Sequence, residues 1–209
     1  MSDFGEKRDD ADYVKAVDEL LNPVRVYSRD EVAVRDSVVP SRPGVYAWYF
    51  DQALPGVLTE GCRVGDAGTL LYVGIAPKAP PANGKPPSRQ HLRQRIRYHF
   101  RGNAFGSTLR LSLGCHLTEQ LDIELRRVGR SGTRLTFTKL GEDMLSEWMA
   151  AHARVAFTVH DEPWKLEHAL ISKEIFPLNI SHNIRSPYYA TLRALRAEHK
   201  RRARALPVA

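Results

Sequence analysis

Cysteine is scarce in this 209-residue chain. Cys62 and Cys115 are the only two, so a disulfide framework is not what stabilises the fold, and both are expected as free thiols. Cys115-His116 also lacks the ligand spacing of a structural zinc site. No apolar run approaches the ~18 residues that a membrane span needs, and the first twenty residues are too acidic for a signal peptide. A cytoplasmic protein with no membrane partner is the expectation. Acids are missing altogether from residues 85–101, which carry Lys85, Arg89, Arg93, Arg95, Arg97 and Arg101, and nearly so from 185–209, where Glu198 stands alone among seven lysines and arginines. These two segments supply most of the net charge of +7, and they make a polyanion a natural partner. With 43% hydrophobic and 26% charged residues the composition is otherwise that of a globular protein, which excludes wholesale disorder and coiled coil. No internal repeat is visible, which argues against solenoids and propellers.

Residues 9–21 read as an amphipathic helix that stops at Asn22-Pro23. Pro43-Gly44 marks a turn into VYAWYF, a β-branched and aromatic run expected to be a strand. A glycine-rich hairpin loop leads to a second strand, LLYVGI at 70–75, and the five prolines of 77–88 predict a surface loop. A helix over 89–101 follows, then a block at 103–138 read as an inserted hairpin turning between Gly129 and Gly132. Helix 141–152, strand 154–160, helix 163–175 and a final basic helix from about Pro187 complete the chain. The organisation expected is an N-terminal extension over 1–40, one domain over 41–183, and a basic helix over 184–209.

Two helices carry charges where apolar residues are expected. On helix 89–101, Leu92, Ile96 and Phe100 form the apolar stripe, with Arg93, Arg97 and Arg101 down one flank. Arg95 and His99 border the other edge, turned towards the sheet, and a half-buried guanidinium wants an anion such as phosphate. On helix 163–175, Glu167 falls among Trp164, Leu170, Ile171 and Ile175; an acid so placed pairs with a base, for instance Arg95, accepts hydrogen bonds, or binds a metal ion. Tyr46 and Tyr72 lie in the two strands, and Gly74 leaves room for a close approach of backbone or substrate. Arg93, Arg97, Arg101, Asn103, Thr108 and Arg110 are candidates for phosphate contact, the plain alternatives being a solvated basic face and a polar loop before a short helix.

The triplets Gly44-Val45-Tyr46 and Tyr72-Val73-Gly74 on successive strands, followed in order by Arg95, His99, Glu167 and Asn179, resemble the signature of the GIY-YIG nuclease superfamily, with valine replacing isoleucine in each triplet. The resemblance implies an α+β fold, a small three-stranded antiparallel sheet flanked by helices in the order β-β-α-α-β-α, here with the inserted hairpin and helical extensions at both ends. It implies a catalytic set of Tyr46, Tyr72, Arg95, His99, Glu167 and Asn179. Glu167 would bind one divalent ion, Mg²⁺ or Mn²⁺, through hard oxygen ligation, and Arg95 would stabilise charge on the scissile phosphate. Tyr46 or Tyr72 would act as the base for the attacking water or help position it, while Asn179 would orient the site or pack its floor. Many relatives carry lysine directly after the second triplet, where this chain has Ile75; Lys78, three residues on, is assigned no role. The implied activity is metal-dependent cleavage of nucleic acid, with DNA the expected substrate. The alternative is a catalytically silent nucleic-acid-binding module of the same fold. The strand state of the substrate, the oligomeric state and any protein partner stay open.

Overall fold

The run from Val45 to Phe50 forms the central strand of the sheet, and every residue of it is buried. The computed structural model describes residues 13–83 and 88–209. Strands β1 (Gly44–Phe50), β2 (Val64–Gly65), β3 (Gly68–Ala76) and β6 (Ala153–Val159) make one antiparallel sheet in the order β2-β3-β1-β6. The three long strands are those expected. The fourth, β2, corrects the three-stranded expectation: it pairs only Val64 with Thr69 and Gly65 with Gly68, too short a ladder to show in a glycine-rich segment.

Both faces of β1 are covered, which is why its sequence is continuously apolar and aromatic rather than alternating. Tyr46, Trp48 and Phe50 pack with Leu92, Ile96 and Phe100 of α3 (Leu92–Arg101) and with Leu145 and Trp148 of α6 (Thr138–His152). Val45, Ala47 and Tyr49 pack the opposite way, against Leu20 of α1 (described over 13–21) and Leu166 and Leu170 of α7 (Pro163–Lys173). The expected start of α1 at residue 9 lies outside the described residues, as does part of the 77–88 loop.

The segment before β1 is also built into the fold. Helix α2 (Arg29–Ala33) opens with a reciprocal cap between Ser28 and Glu31, a pattern that satisfies helix N–H groups locally. Tyr27 exchanges backbone hydrogen bonds with Val155 of β6, 2.9 Å in each direction. Cys62 and Cys115 are free thiols.

The block at 103–138 departs most from expectation. Only β4 (Arg126–Val128) and β5 (Arg134–Thr136) form the hairpin, while α4 (Thr108–His116) and α5 (Thr118–Leu121) occupy the first half. Helix α4 is buried on all sides from Leu109 to His116, so no helical stripe of polar residues marks it, and the alternating Leu-Arg-Leu-Ser-Leu reads like a strand. The C-terminal helix is α8 (Tyr189–Ala205), packed on α4.

Candidate active site

The β1–β3 register sets the two triplets against each other: Tyr46 faces Gly74, and Trp48 faces Tyr72. A Cβ on Gly74 would come 2.5 Å from the Tyr46 hydroxyl, so the glycine is what lets that hydroxyl lie across β3. Gly44 meets a similar constraint, because a Cβ there would sit 2.1 Å from the Thr158 carbonyl oxygen on β6 and 2.6 Å from Leu92. The first glycine lets strand and helix close up, and the second makes room for the tyrosine.

Behind Tyr46, the fully buried His99 places its Nε2 2.8 Å from the Tyr46 hydroxyl and its Nδ1 2.7 Å from the Ser107 hydroxyl. Burial, reinforced by the charges of Arg95 and Arg110, pushes the His99 pKa well below its ordinary value. A neutral imidazole has one N–H and one lone pair, so it donates to one of these hydroxyls and accepts from the other. Burial raises the pKa of Tyr46 and of Tyr72, so both are neutral phenols at rest. The Tyr72 hydroxyl lies 3.1 Å from the Thr108 hydroxyl. Arg95 donates to the Gly106 carbonyl at 2.8 Å. Burial opposes its charge, but Tyr46 and Tyr72 beside it outweigh that effect and raise its pKa.

These groups open on a cleft of about 920 Å³, whose walls include Tyr46, Tyr72, Gly74, Arg95, Thr108, Glu167 and Asn179. The Glu167 carboxyl faces it without any hydrogen bond or ion pair among the described residues, so the pairing with Arg95 considered above is not formed. Burial pushes its pKa up to about 7, against the opposing field of Lys78. Asn179 serves the backbone of β3 instead. Its amide accepts from the Val73 N–H at 3.0 Å and donates to the Val73 carbonyl at 2.8 Å. It thereby completes the outer edge of β3, where strand pairing has ended.

Residues 44–198 match the family model of the GIY-YIG catalytic domain. The chain belongs to the GIY-YIG family. No curated protein and no solved structure matches it. GIY-YIG domains are in general endonuclease catalytic domains, and the match begins at Gly44 of the first triplet, spans the insertion and continues into α8.

Within this GIY-YIG chain several of the cations expected at phosphate are turned elsewhere. Arg93 donates to the carbonyls of Val39 and Ser37, and Arg97 to those of Val32 and Val34, so the pair clamps the segment before β1. Arg110 is fully buried; it donates to both the carboxylate and the carbonyl of Glu142 and to the carbonyls of His99 and Phe100. These guanidiniums share one circumstance: backbone carbonyls and a buried acid of the fold already take their donors. Asn103 accepts from the Tyr98 hydroxyl and the Gly106 N–H, holding the turn that leads to Ser107. Arg101 is exposed and lies beside Asn103 in a separate surface hollow, away from Glu167. Three cations that were not among the candidate site residues also line the cleft, Lys78, Lys165 and Arg196, of which Lys165 pairs with Glu162. Arg196 could have been found from α8 itself, because it lies four residues after Leu192 and seven before Ala203, both buried.

Among the described residues there is no cluster of three or more His, Cys, Asp or Glu, and Glu167 is the one carboxylate on the cleft wall. A zinc-type cage does not fit that inventory. A magnesium-class ion does, since it takes few protein ligands and fills its shell with water and phosphate oxygens.

Proposed function

We propose that the chain is an endonuclease that hydrolyses phosphodiester bonds in nucleic acid, with DNA as substrate, and that Glu167 holds one divalent ion, Mg²⁺ or Mn²⁺. The observation carrying this reading is the Glu167 carboxyl, without a hydrogen bond or ion pair among the described residues, on the same cleft as Tyr46 and Arg95. A purely binding surface has no use for a desolvated acid, which repels phosphate. When bound, the cation supplies Lewis-acid polarisation of the phosphoryl group.

Arg95 uses its Gly106 contact to fix the guanidinium and keeps further N–H donors for the negative charge that grows on the phosphate. Tyr46 positions the attacking water. Its phenolate is disfavoured by burial, so a free phenolate base is not the working form. Instead the neutral hydroxyl, anchored to His99 Nε2 at 2.8 Å, hydrogen-bonds the attacking water and orients it, and the proton of that water leaves to solvent in the cleft. Ser107 steadies the imidazole from the other side. Thr108 and Asn179 position Tyr72 and β3.

The test is incubation of the purified chain with labelled single-stranded and double-stranded DNA and RNA in Mg²⁺, Mn²⁺ or EDTA, beside Glu167→Gln. Metal-dependent cutting that falls by about a thousandfold in the variant, roughly 4 kcal/mol of transition-state stabilisation, is expected. Undiminished cutting by folded Glu167→Gln overturns the reading, and binding without cutting by the wild type favours the silent module. A thermal shift gives an independent readout: Mg²⁺ should raise the melting temperature of the wild type and not of the variant.

A further inference from the structure

Charge alone makes the arginines of α8 look alike, but their surroundings divide them. Arg201 and Arg202 are exposed and both bind Glu198, at 2.8 and 2.7 Å. Arg193 is exposed and lies over the Tyr189 ring. Arg196 is on the other side of the helix, the side that buries Leu192 and Ala203 and packs on α4. It is half-buried, and it lines the cleft together with Tyr72, Thr108 and Glu167.

What surrounds Arg196 does not neutralise it. It has no hydrogen bond or ion pair among the described residues. The groups whose charge reaches it are Tyr72 and the Cys115 thiol of α4, with Lys200 one turn along its own helix. Burial raises the pKa of both Tyr72 and Cys115, so neither carries negative charge near neutrality. Arginine keeps its proton even when desolvated. Arg110, more deeply buried, shows what the interior otherwise supplies: the Glu142 carboxylate and several carbonyls. A desolvated cation left without such partners on the wall of an open cleft is suited to an anion that arrives from outside, and the guanidinium fork matches phosphate.

We propose that Arg196 binds a backbone phosphate of the nucleic acid on the α8 side of the cleft, which makes the C-terminal helix part of the substrate site. This rests on the nuclease reading. Its consequence is a division of labour within α8: one arginine reaches the substrate from the packed face, and the exposed ones remain ordinary surface charge.

The experiment uses the full chain carrying Glu167→Gln, so that substrate is bound and not consumed. Binding of a fluorescent oligonucleotide, of the class that the wild type cuts, is followed by anisotropy from about 50 to 200 mM salt, the range in which lost phosphate contacts show. Adding Arg196→Met, which keeps the apolar stem, should weaken binding about tenfold and lower the slope of log affinity against log salt by about one. Arg201→Ala removes the same charge from the same helix and should change affinity less than twofold. If Arg196→Met fails to fold, Arg196→Gln carries the same expectation. Unchanged affinity and slope in a folded Arg196 variant overturn the proposal, and so does an equal loss in Arg201→Ala. When the wild type cuts and the Arg196 variants bind normally, the inference alone fails; when the wild type neither binds nor cuts any nucleic acid, the nuclease reading fails and the inference with it.

Discussion

Glu142 and Glu167 are both helical acids withdrawn from water, yet they stand in opposite circumstances. Glu142, on α6, has every acceptor used: Oε1 takes the N–H groups of Ala104 and Phe137 at 2.8 and 3.1 Å, and Oε2 takes Arg110 at 2.7 and 2.9 Å. Glu167, on α7, has no partner among the described residues. The first ties the two ends of the insertion to α4. The second has only the field of Lys78 to offset the cost of its desolvation, and such a residual cost is tolerated where a ligand completes the site. Burial of a charge thus does not separate scaffold from site; satisfaction of its lone pairs does.

The sharpest break of this comparison is Glu142→Ala. It strands the buried guanidinium of Arg110 and two backbone N–H groups, and removing one partner of such a pair costs about 3–5 kcal/mol. Urea denaturation should register most of that loss. A cost below about 1 kcal/mol would mean that the buried pair is no more important than a surface one.

Gly74→Ala tests the open side instead. Its Cβ would intrude on the Tyr46 hydroxyl and ring, so the hydroxyl must shift from His99. A displacement of that order costs about a hundredfold in rate, while nucleic-acid affinity in the Glu167→Gln background should hold. Wild-type turnover in Gly74→Ala would remove Tyr46 from the water-positioning role proposed above.

The same contrast explains what could be read from the chain before its structure. Arg95 and Glu167 stood out because helical spacing puts a charge at an apolar face, whereas Tyr46 and Tyr72 stood out only through the resemblance of the two triplets; all four line one cleft. The internal partners of Arg93, Arg97 and Arg110 were not legible, for the complementary reason. Spacing identifies a face but not what covers it, and the covers, residues 32–39 and α6, come from distant parts of the chain. Helix α4 was hidden because complete burial erases the period that marks a helix. Arg196 was not singled out among the tail's arginines, because helical spacing beside Leu192 marks the packed side of the tail without showing that this side borders the cleft.

The smallest effect is the most discriminating between the two acids. The Glu167 carboxyl is pushed from its ordinary value near 4.5 up to about 7 by burial. Below about pH 4.5 it is protonated in folded and unfolded chains alike and costs nothing. As pH rises towards 7 the unfolded chain releases this proton first, so folding stability falls across that window, and above 7 the whole penalty is present. Glu167→Gln abolishes the penalty. In EDTA the variant should therefore match the wild type near pH 4.5 and exceed it at pH 8, by on the order of 1 kcal/mol once screening by water in the cleft is allowed for. The measurement is a pair of denaturant titrations at the two pH values. A variant that is less stable than the wild type at pH 8 would mean that the Glu167 carboxylate is satisfied within the protein after all, and would move it to the same class as Glu142.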